Sequence, residues 1–450
     1  MRTHAPHFTR RRYLTLTALL ITAFPLGWTN STRADVVTDW SAIAQTAIVT
    51  NAGRPPSGTI IDVAYVFAAV YDAVNAIDGR YTAFAVSVSA SPSASQEAAA
   101  AAAAHHVLKT FFPTQQAFLD GALAASMAAI PPGPARDQGN AVGVQVATAF
   151  LALRANDGRN AVVSYAFGSG PGVYQLTPGA PAPPASPATP WVAQMRPFAL
   201  QSPWQFRAEG PPDLTSARWA EDLNEVKAMG VLNGSSRTDE QTEIGRFYAE
   251  HPGAQLIRNL RDFALDQSMS VADRARLLAI LHITAADAII AVFDSKYFYN
   301  FWRPVTAIRA ADTDGNDATE PDAGWVTLVP TPNHPEYPAA HGAVSTAYAE
   351  AIRHFFGTKK VTITLSSIFT GTTHTFHSTD EIIKEIIAAR IYGGMHYRNS
   401  TNVGLAIGKQ VANQVSANHF QRIDNDSNID GDRRGGAPAD GSAIEGDGED

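Results

Sequence analysis

Residues 270–309 read SVADRARLLAILHITAADAIIAVFDSKYFYNFWRPVTAIR, the longest run of helical apolar spacing in the chain. Ser270 supplies an N-cap and Pro304 a stop, so the spacing predicts one long helix between them. Its C-terminal end, FDSKYFYNFWRPVTAIR at 293–309, carries Lys296 and Arg303. Seven residues apart on a helix of 3.6 residues per turn, they fall within about 20° of one face. Two cations therefore point the same way among aromatic neighbours. Most Lys and Arg side chains lie at the surface, so this pair gains meaning only from what accompanies it elsewhere.

Outward from that stretch the chain reads as helix on both sides. Thr59 to Ile77 has helical apolar spacing with Gly79 as a stop, and an Ala run at 98–104 continues to Pro113. Thr114–Ile130 and Pro134–Arg154 follow, then Thr215–Met229, Thr238–Glu250 and Ala254–Phe263, where Thr238 and Gln241 form a capping box. Residues 156–212 are too rich in Pro and Gly for a regular helix. With Trp191, Phe198 and Trp204 interspersed, they are expected to form an ordered arm over the helices or over a partner subunit. Strand signal is scarce, the best being Lys360–Leu365. The expected fold is all-α, built as helical bundles in two four-helix-bundle-like halves with a long Pro/Gly-rich loop.

Composition narrows the function. With 45% hydrophobic residues the chain can bury a large core, and a formal net charge of −8 argues against general nucleic-acid binding. Any cation cluster is then local and suited to a small anion. The absence of cysteine removes disulfides, thiolate metal sites and cysteine nucleophiles. At the N-terminus, Thr9-Arg10-Arg11-Arg12-Tyr13-Leu14 precedes an apolar run to Trp28 and polar residues ending at Ala34. This pattern reads as a twin-arginine signal peptide, which predicts a periplasmic or secreted protein. Elsewhere the best membrane candidate, Leu278–Phe293, is interrupted by His282 and Asp287, so no transmembrane anchor is expected. The acidic loop at 312–322 and the Asp-rich tail from 424 lack the full ligand pattern of a calcium loop.

Two further segments carry chemistry. In HPEYPAAHG, residues 334–342, Pro338 and two small residues lead into His341 and Gly342, which offers His341 and backbone N–H groups at a helix start. In ARIYGGMHYRNS, residues 389–400, Arg390 and His396 are six apart, about 120° on an unbroken helix. Gly393 and Gly394 can relax that helix so that both side chains face one pocket. His105, His106, His282, His354, His374, His377 and His419 read as structural.

Lysine, six residues, Arg-Pro; Pro, two small residues, His; Arg, five residues, His: this order resembles the signature of vanadium-dependent haloperoxidases and the type 2 phosphatidic acid phosphatase superfamily. The detailed resemblance covers about residues 238–420, and FDSKYFYNFWRPVTAIR and HPEYPAAHG resemble the soluble bacterial haloperoxidase branch most. It implies a vanadate cofactor held by Lys296, Arg303, Arg390 and the backbone at Ala340, and linked to vanadium through His396. It also implies His341 as the acid–base group, Lys296 as the residue that polarises peroxide, and His334 as a halide-tuning residue pointing to bromide over chloride. The implied partners are hydrogen peroxide, a halide and a small organic acceptor, with a homodimer compatible with the aromatic arm.

Two departures stand out. Ala339 and Ala340 replace the family's usual Ser and Gly, which removes a hydroxyl donor to the oxyanion, a loss of order 1 to 3 kcal/mol. Ser400 replaces the usual Asp, so the carboxylate that would orient the linked histidine is expected to be absent. That absence weakens the alternative of an acid phosphatase with a phosphohistidine intermediate; a third reading is a non-catalytic oxyanion-binding protein. The expected organisation is a signal peptide at 1–34, an N-terminal helical part at 35–155, the loop at 156–212, a catalytic helical part at 213–423 and an acidic tail at 424–450.

Overall fold

The computed structural model describes residues 35–178 and 186–423, and the expected signal peptide and acidic tail fall outside the described residues. The described residues open with α1 (Val36–Gln45), α2 (Pro56–Asp78), α3 (Gln96–Phe111), α4 (Gln116–Ala128) and α5 (Pro134–Leu153). After an irregular arm come α6 (Ala217–Gly230), α7 (Asp239–Phe247), α8 (Pro252–Leu265), α9 (Val271–Tyr299) and α10 (Pro304–Arg309). The last helices are α11 (Ala340–Phe356), α12 (Thr379–Tyr392) and α13 (Arg398–Asn418). Between α11 and α12 lies a single antiparallel hairpin, β1 (Ile363–Ser367) with β2 (Thr372–Phe376), in which Ile363 faces Phe376. The fold is all-α helical-bundle packing apart from that hairpin, and one main core runs from Val37 to Phe420.

Helix α9 is the axis of this core. The Ser270 hydroxyl caps its start by accepting from the Asp273 amide, and every residue from Leu277 to Lys296 is buried. Apolar side chains on all faces require neighbours on all faces, and α2, α11 and α13 supply them. Helices α2 and α9 are each long and apolar enough to cross a membrane, yet both lie almost wholly inside the protein. The helix ends at Tyr299 with Asn300 in the left-handed region (φ 51), five residues before Pro304. Pro304 instead opens α10, where its missing N–H removes no helix bond.

Buried polar groups on α9 hold the arm. Asp287, fully buried, accepts the backbone N–H groups of Phe198, Ala199 and Leu200 at 2.6, 2.7 and 2.9 Å. Burial pushes its carboxyl up to about 6, against the lowering effect of those three amides. Farther along, Arg207 grips Asp294 through two bonds of 2.7 Å, and the Tyr297 and Tyr299 hydroxyls donate to the carbonyls of Ala188 and Ala208 at 2.6 Å.

A second contact fixes the start of α11. Gly404 and Gly408 on α13 lie against it so closely that a Cβ would sit 2.4 Å from the Ala339 carbonyl oxygen and 2.2 Å from that of Ala343. Only glycine permits that approach, which clamps the backbone on either side of His341.

Replacing Asp287 with Ala strips a charged acceptor from three amides, and the fold should lose about 3 kcal/mol or more. Urea unfolding of the variant measures this, and a loss below about 1 kcal/mol would show that Asp287 does not anchor the arm.

Candidate functional site

Lys296 lies in the last turn of α9 and Arg303 at the N-cap of α10, both with no exposed surface. The sequence places them on one face of one helix, but the helix breaks between them and Arg303 is extended (φ −83, ψ 154). Their convergence has another cause. The Trp302 amide donates to Gly172 O at 3.0 Å and the Glu336 amide to Phe301 O at 2.9 Å, so arm and 334–336 segment pin the bend.

The 334–336 segment also receives both cations. Lys296 Nζ donates to the carbonyls of Pro335 (3.1 Å) and Glu336 (2.6 Å). Arg303 uses its whole fork: Nε to His334 O (2.8 Å), Nη1 to Met395 O (3.0 Å), and Nη2 to His334 Nδ1 (3.0 Å). Its Nη1 also faces His396 Nε2 at 3.3 Å. One guanidinium thus joins the segments carrying His334 and His396, a geometry that the point charge of a lysine does not reproduce.

Arg390 ends α12, buried, with Nη1 3.4 Å from Tyr248 O and Nη2 2.9 Å from Met395 Sδ, while Nε has no partner. The helix stops at Tyr392, and Gly394 (φ 77) turns the chain where a Cβ would sit 2.6 Å from Gly230 O. This turn is how Arg390 and His396, six residues apart, come into one site, as the two glycines led one to expect. Helix α11 starts at Ala340 with no side-chain cap, so its first-turn N–H groups are left without intrahelical partners. His341 follows, its Nε2 buried and unpartnered.

The imidazoles share one electrostatic setting. Burial, then the neighbouring cations, drives His334, His341 and His396 well below the ordinary histidine range, which holds all three neutral. Burial lowers Arg303 to about 10 and Arg390 to about 9, and it drives Lys296 well below the usual lysine range, with Arg303 adding to the effect.

The missing carboxylate is present after all. Glu336, with no exposed surface, holds His396 Nδ1 at 2.7 Å through Oε1, which also accepts the Tyr397 amide at 3.2 Å. This overturns the expectation drawn from Ser400. The partner comes from the extended segment before α11 rather than from the first turn of α13, so same-helix spacing could not find it. The available signal was a lone acidic residue in HPEYPAAHG, flanked by prolines and apolar residues. With Nδ1–H donating to Glu336, His396 Nε2 presents a lone pair, toward which Arg303 Nη1 lies at 3.3 Å. Burial raises Glu336 to about 7, against the pull of Lys296 and Arg303.

His334, Ala340, His341 and His396 line a cavity of about 380 Å³. Among the described residues no group of three His, Asp or Glu side chains forms a cage for a bare cation. The donor set instead fits an anion: three buried cations face one buried carboxylate, and Arg390 Nε and His341 Nε2 await partners. A tetrahedral oxyanion such as vanadate or phosphate supplies the charge and the acceptors together. Among the described residues, the other histidines lie outside its lining. His374 is held between Glu243 and Glu385 at 2.9 and 2.7 Å, His105 bonds Asp120 at 2.7 Å, and His282 stacks on Phe67.

Residues 276–425 match the family model of the second helical-bundle domain of vanadium chloroperoxidase. The vanadium chloroperoxidase of Curvularia inaequalis is 28% identical over 198 residues, 35% of this chain, and the match spans only 31% of the fungal protein's length. Among solved structures, the first bacterial vanadium-dependent iodoperoxidase superposes with a TM-score of 0.72 at 23% identity, covering 86% of this chain and 96% of the other. A holo-type bacterial vanadium-dependent chloroperoxidase gives 0.66 at 18% identity, covering 83% and 93%. This chain thus resembles vanadium chloroperoxidase over residues 276–425 and has the fold of the solved bacterial structures.

Replacing Glu336 with Leu leaves His396 Nδ1–H without its acceptor. Nitrogen-detected NMR of the imidazole should show a single Nδ1–H tautomer in the wild type and a mixture in the variant; the same spectrum in both would show that Glu336 does not fix the tautomer.

Proposed function

We propose that the protein is an exported vanadium-dependent haloperoxidase that oxidises halide with hydrogen peroxide, bromide ahead of chloride. The observation that carries this reading is the pairing of His396 with Glu336 on one nitrogen and Arg303 on the other, beside two more buried cations. In this reading Lys296, Arg303, Arg390 and the first-turn amides from Ala340 hold vanadate, and His396 Nε2 is its protein ligand. Bound there, vanadate activates peroxide toward attack by halide.

The protein's own groups do the rest. Glu336 fixes the His396 tautomer, so a lone pair rather than an N–H faces the oxyanion. Arg303 and Arg390 balance its charge in a site from which water is largely excluded. Lys296 donates to two carbonyls, and an ammonium carries three N–H bonds, so one remains for peroxide. His341, neutral and unpartnered at Nε2, accepts a proton from the incoming peroxide and later returns it. His334, bonded to Arg303 and tilted on Phe293 at 5.2 Å, sets the polarity where halide approaches. Iodide, which one solved relative's name records, is more easily oxidised than bromide and should also react.

A phosphatase remains the second reading, and Glu336 is the observation that favours it. A carboxylate on Nδ1 raises the basicity of Nε2, as a phosphohistidine nucleophile needs. The full chain, incubated with orthovanadate, decides between the two when bromination of a phenol dye with peroxide is assayed beside hydrolysis of an aryl phosphate. Bromination that needs vanadate and peroxide is the expected result; hydrolysis without bromination would establish the phosphatase instead. Replacing His341 with Ala should slow bromination about 10²- to 10⁴-fold while orthovanadate still binds, as calorimetry would show.

A further inference from the structure

The cavity beside the three imidazoles is larger than halide and peroxide require. At about 380 Å³ it lies in the range of sites for small organic molecules. Its wall comes from several parts of the chain: Ile60 on α2, Leu256 and Leu260 on α8, Ile289 and Phe293 on α9, and Val344 on α11. Among the described residues, no Asp, Glu, Lys or Arg lines it.

The polar side chains in that wall are mostly committed to the protein. Gln255 donates to the carbonyls of Phe247 and Ser366 at 3.0 and 3.3 Å. Asn259 donates to Ser366 O at 3.1 Å and accepts the Ser366 amide at 2.9 Å. Ser57 bonds Thr189 at 2.6 Å, Asn333 accepts the Tyr174 hydroxyl at 2.6 Å, and the Tyr248 hydroxyl donates to Glu385 at 2.9 Å. A charged ligand would therefore lose its hydration against groups with little to return. The Thr331 hydroxyl is different: it lines the cavity, is 9% exposed at the residue level and has no partner. It stands three residues before His334, on the loop that brings that imidazole to the site.

We propose that this cavity binds an uncharged phenol, with its hydroxyl on Thr331 and its ring among Ile289, Phe293 and Val344, so that halogenation occurs on the bound ring rather than in bulk solution. This rests on the haloperoxidase reading. Peroxide oxidises bromide to hypobromous acid, taking up one proton and releasing water. The ring carbon then attacks bromine, a C–Br bond forms as the Br–O bond breaks, and the displaced ring proton leaves with the hydroxide as water. The sum is ArH + Br⁻ + H₂O₂ + H⁺ → ArBr + 2 H₂O.

The test uses the full chain and 1-naphthol, whose intrinsic fluorescence reports binding without vanadate or peroxide. With the oxyanion seat filled by saturating inorganic phosphate, the expected result is saturable binding, at least tenfold weaker for 1-naphthalenesulfonate, which keeps the rings but carries a charge. A Leu256→Trp variant, which fills the cavity, should also bind naphthol at least tenfold more weakly. No saturable binding, or equal binding of the sulfonate, would overturn the proposal even if the variant fails to fold. With vanadate, peroxide and bromide added, the ratio of 2-bromo to 4-bromo product should differ at least threefold from that given by reagent hypobromite at the same pH. An identical ratio would overturn halogenation in place. Naphthol binding without any halide oxidation would overturn the haloperoxidase reading, and in-place halogenation with it.

Discussion

Three buried cations within reach of one another are the constraint on which this structure depends. Lys296, Arg303 and Arg390 repel each other in a setting with little water to screen them, and one buried carboxylate, Glu336, opposes them. The protein tolerates the arrangement by offering backbone carbonyls. Those of His334, Pro335, Glu336, Met395 and Tyr248 all accept from these three side chains. Carbonyls can be aimed this way only where the chain leaves regular helix. The site accordingly sits at the end of α9, the end of α12 and the start of α11, joined by extended backbone.

That placement explains which parts were legible in the sequence. The helices are local matters of apolar spacing and caps, so α2, α5, α7 and α9 stand close to their expected bounds; the Thr238 capping box is present with both of its bonds. Helix α9 ends a few residues short of the stop that Pro304 signals, because Asn300, able to adopt the left-handed region, breaks the helix first. Lys296 and Arg303 do meet, through a bend pinned by Gly172 and Glu336 rather than through helical periodicity.

Glu336 shows where sequence reading ran out. Ser400 predicts a missing carboxylate because helical spacing reports only same-helix neighbours, whereas a hydrogen bond to an imidazole fixes a position in space and not in sequence. Two glutamate methylenes reach from an extended segment to the place that an aspartate on α13 would otherwise serve. The cavity wall is equally hidden, since α2, α8, α9 and α11 each contribute a few apolar side chains that look like ordinary core.

The central claim is that these cations, with His396, form a seat for an oxyanion. Calorimetric titration of the full chain with orthovanadate tests it most directly, since heat of binding needs no turnover. One vanadate per chain, competed by inorganic phosphate and lost on replacing His396 or Arg303 with Ala, is the predicted result. Absence of binding, or binding that survives both substitutions, would contradict it.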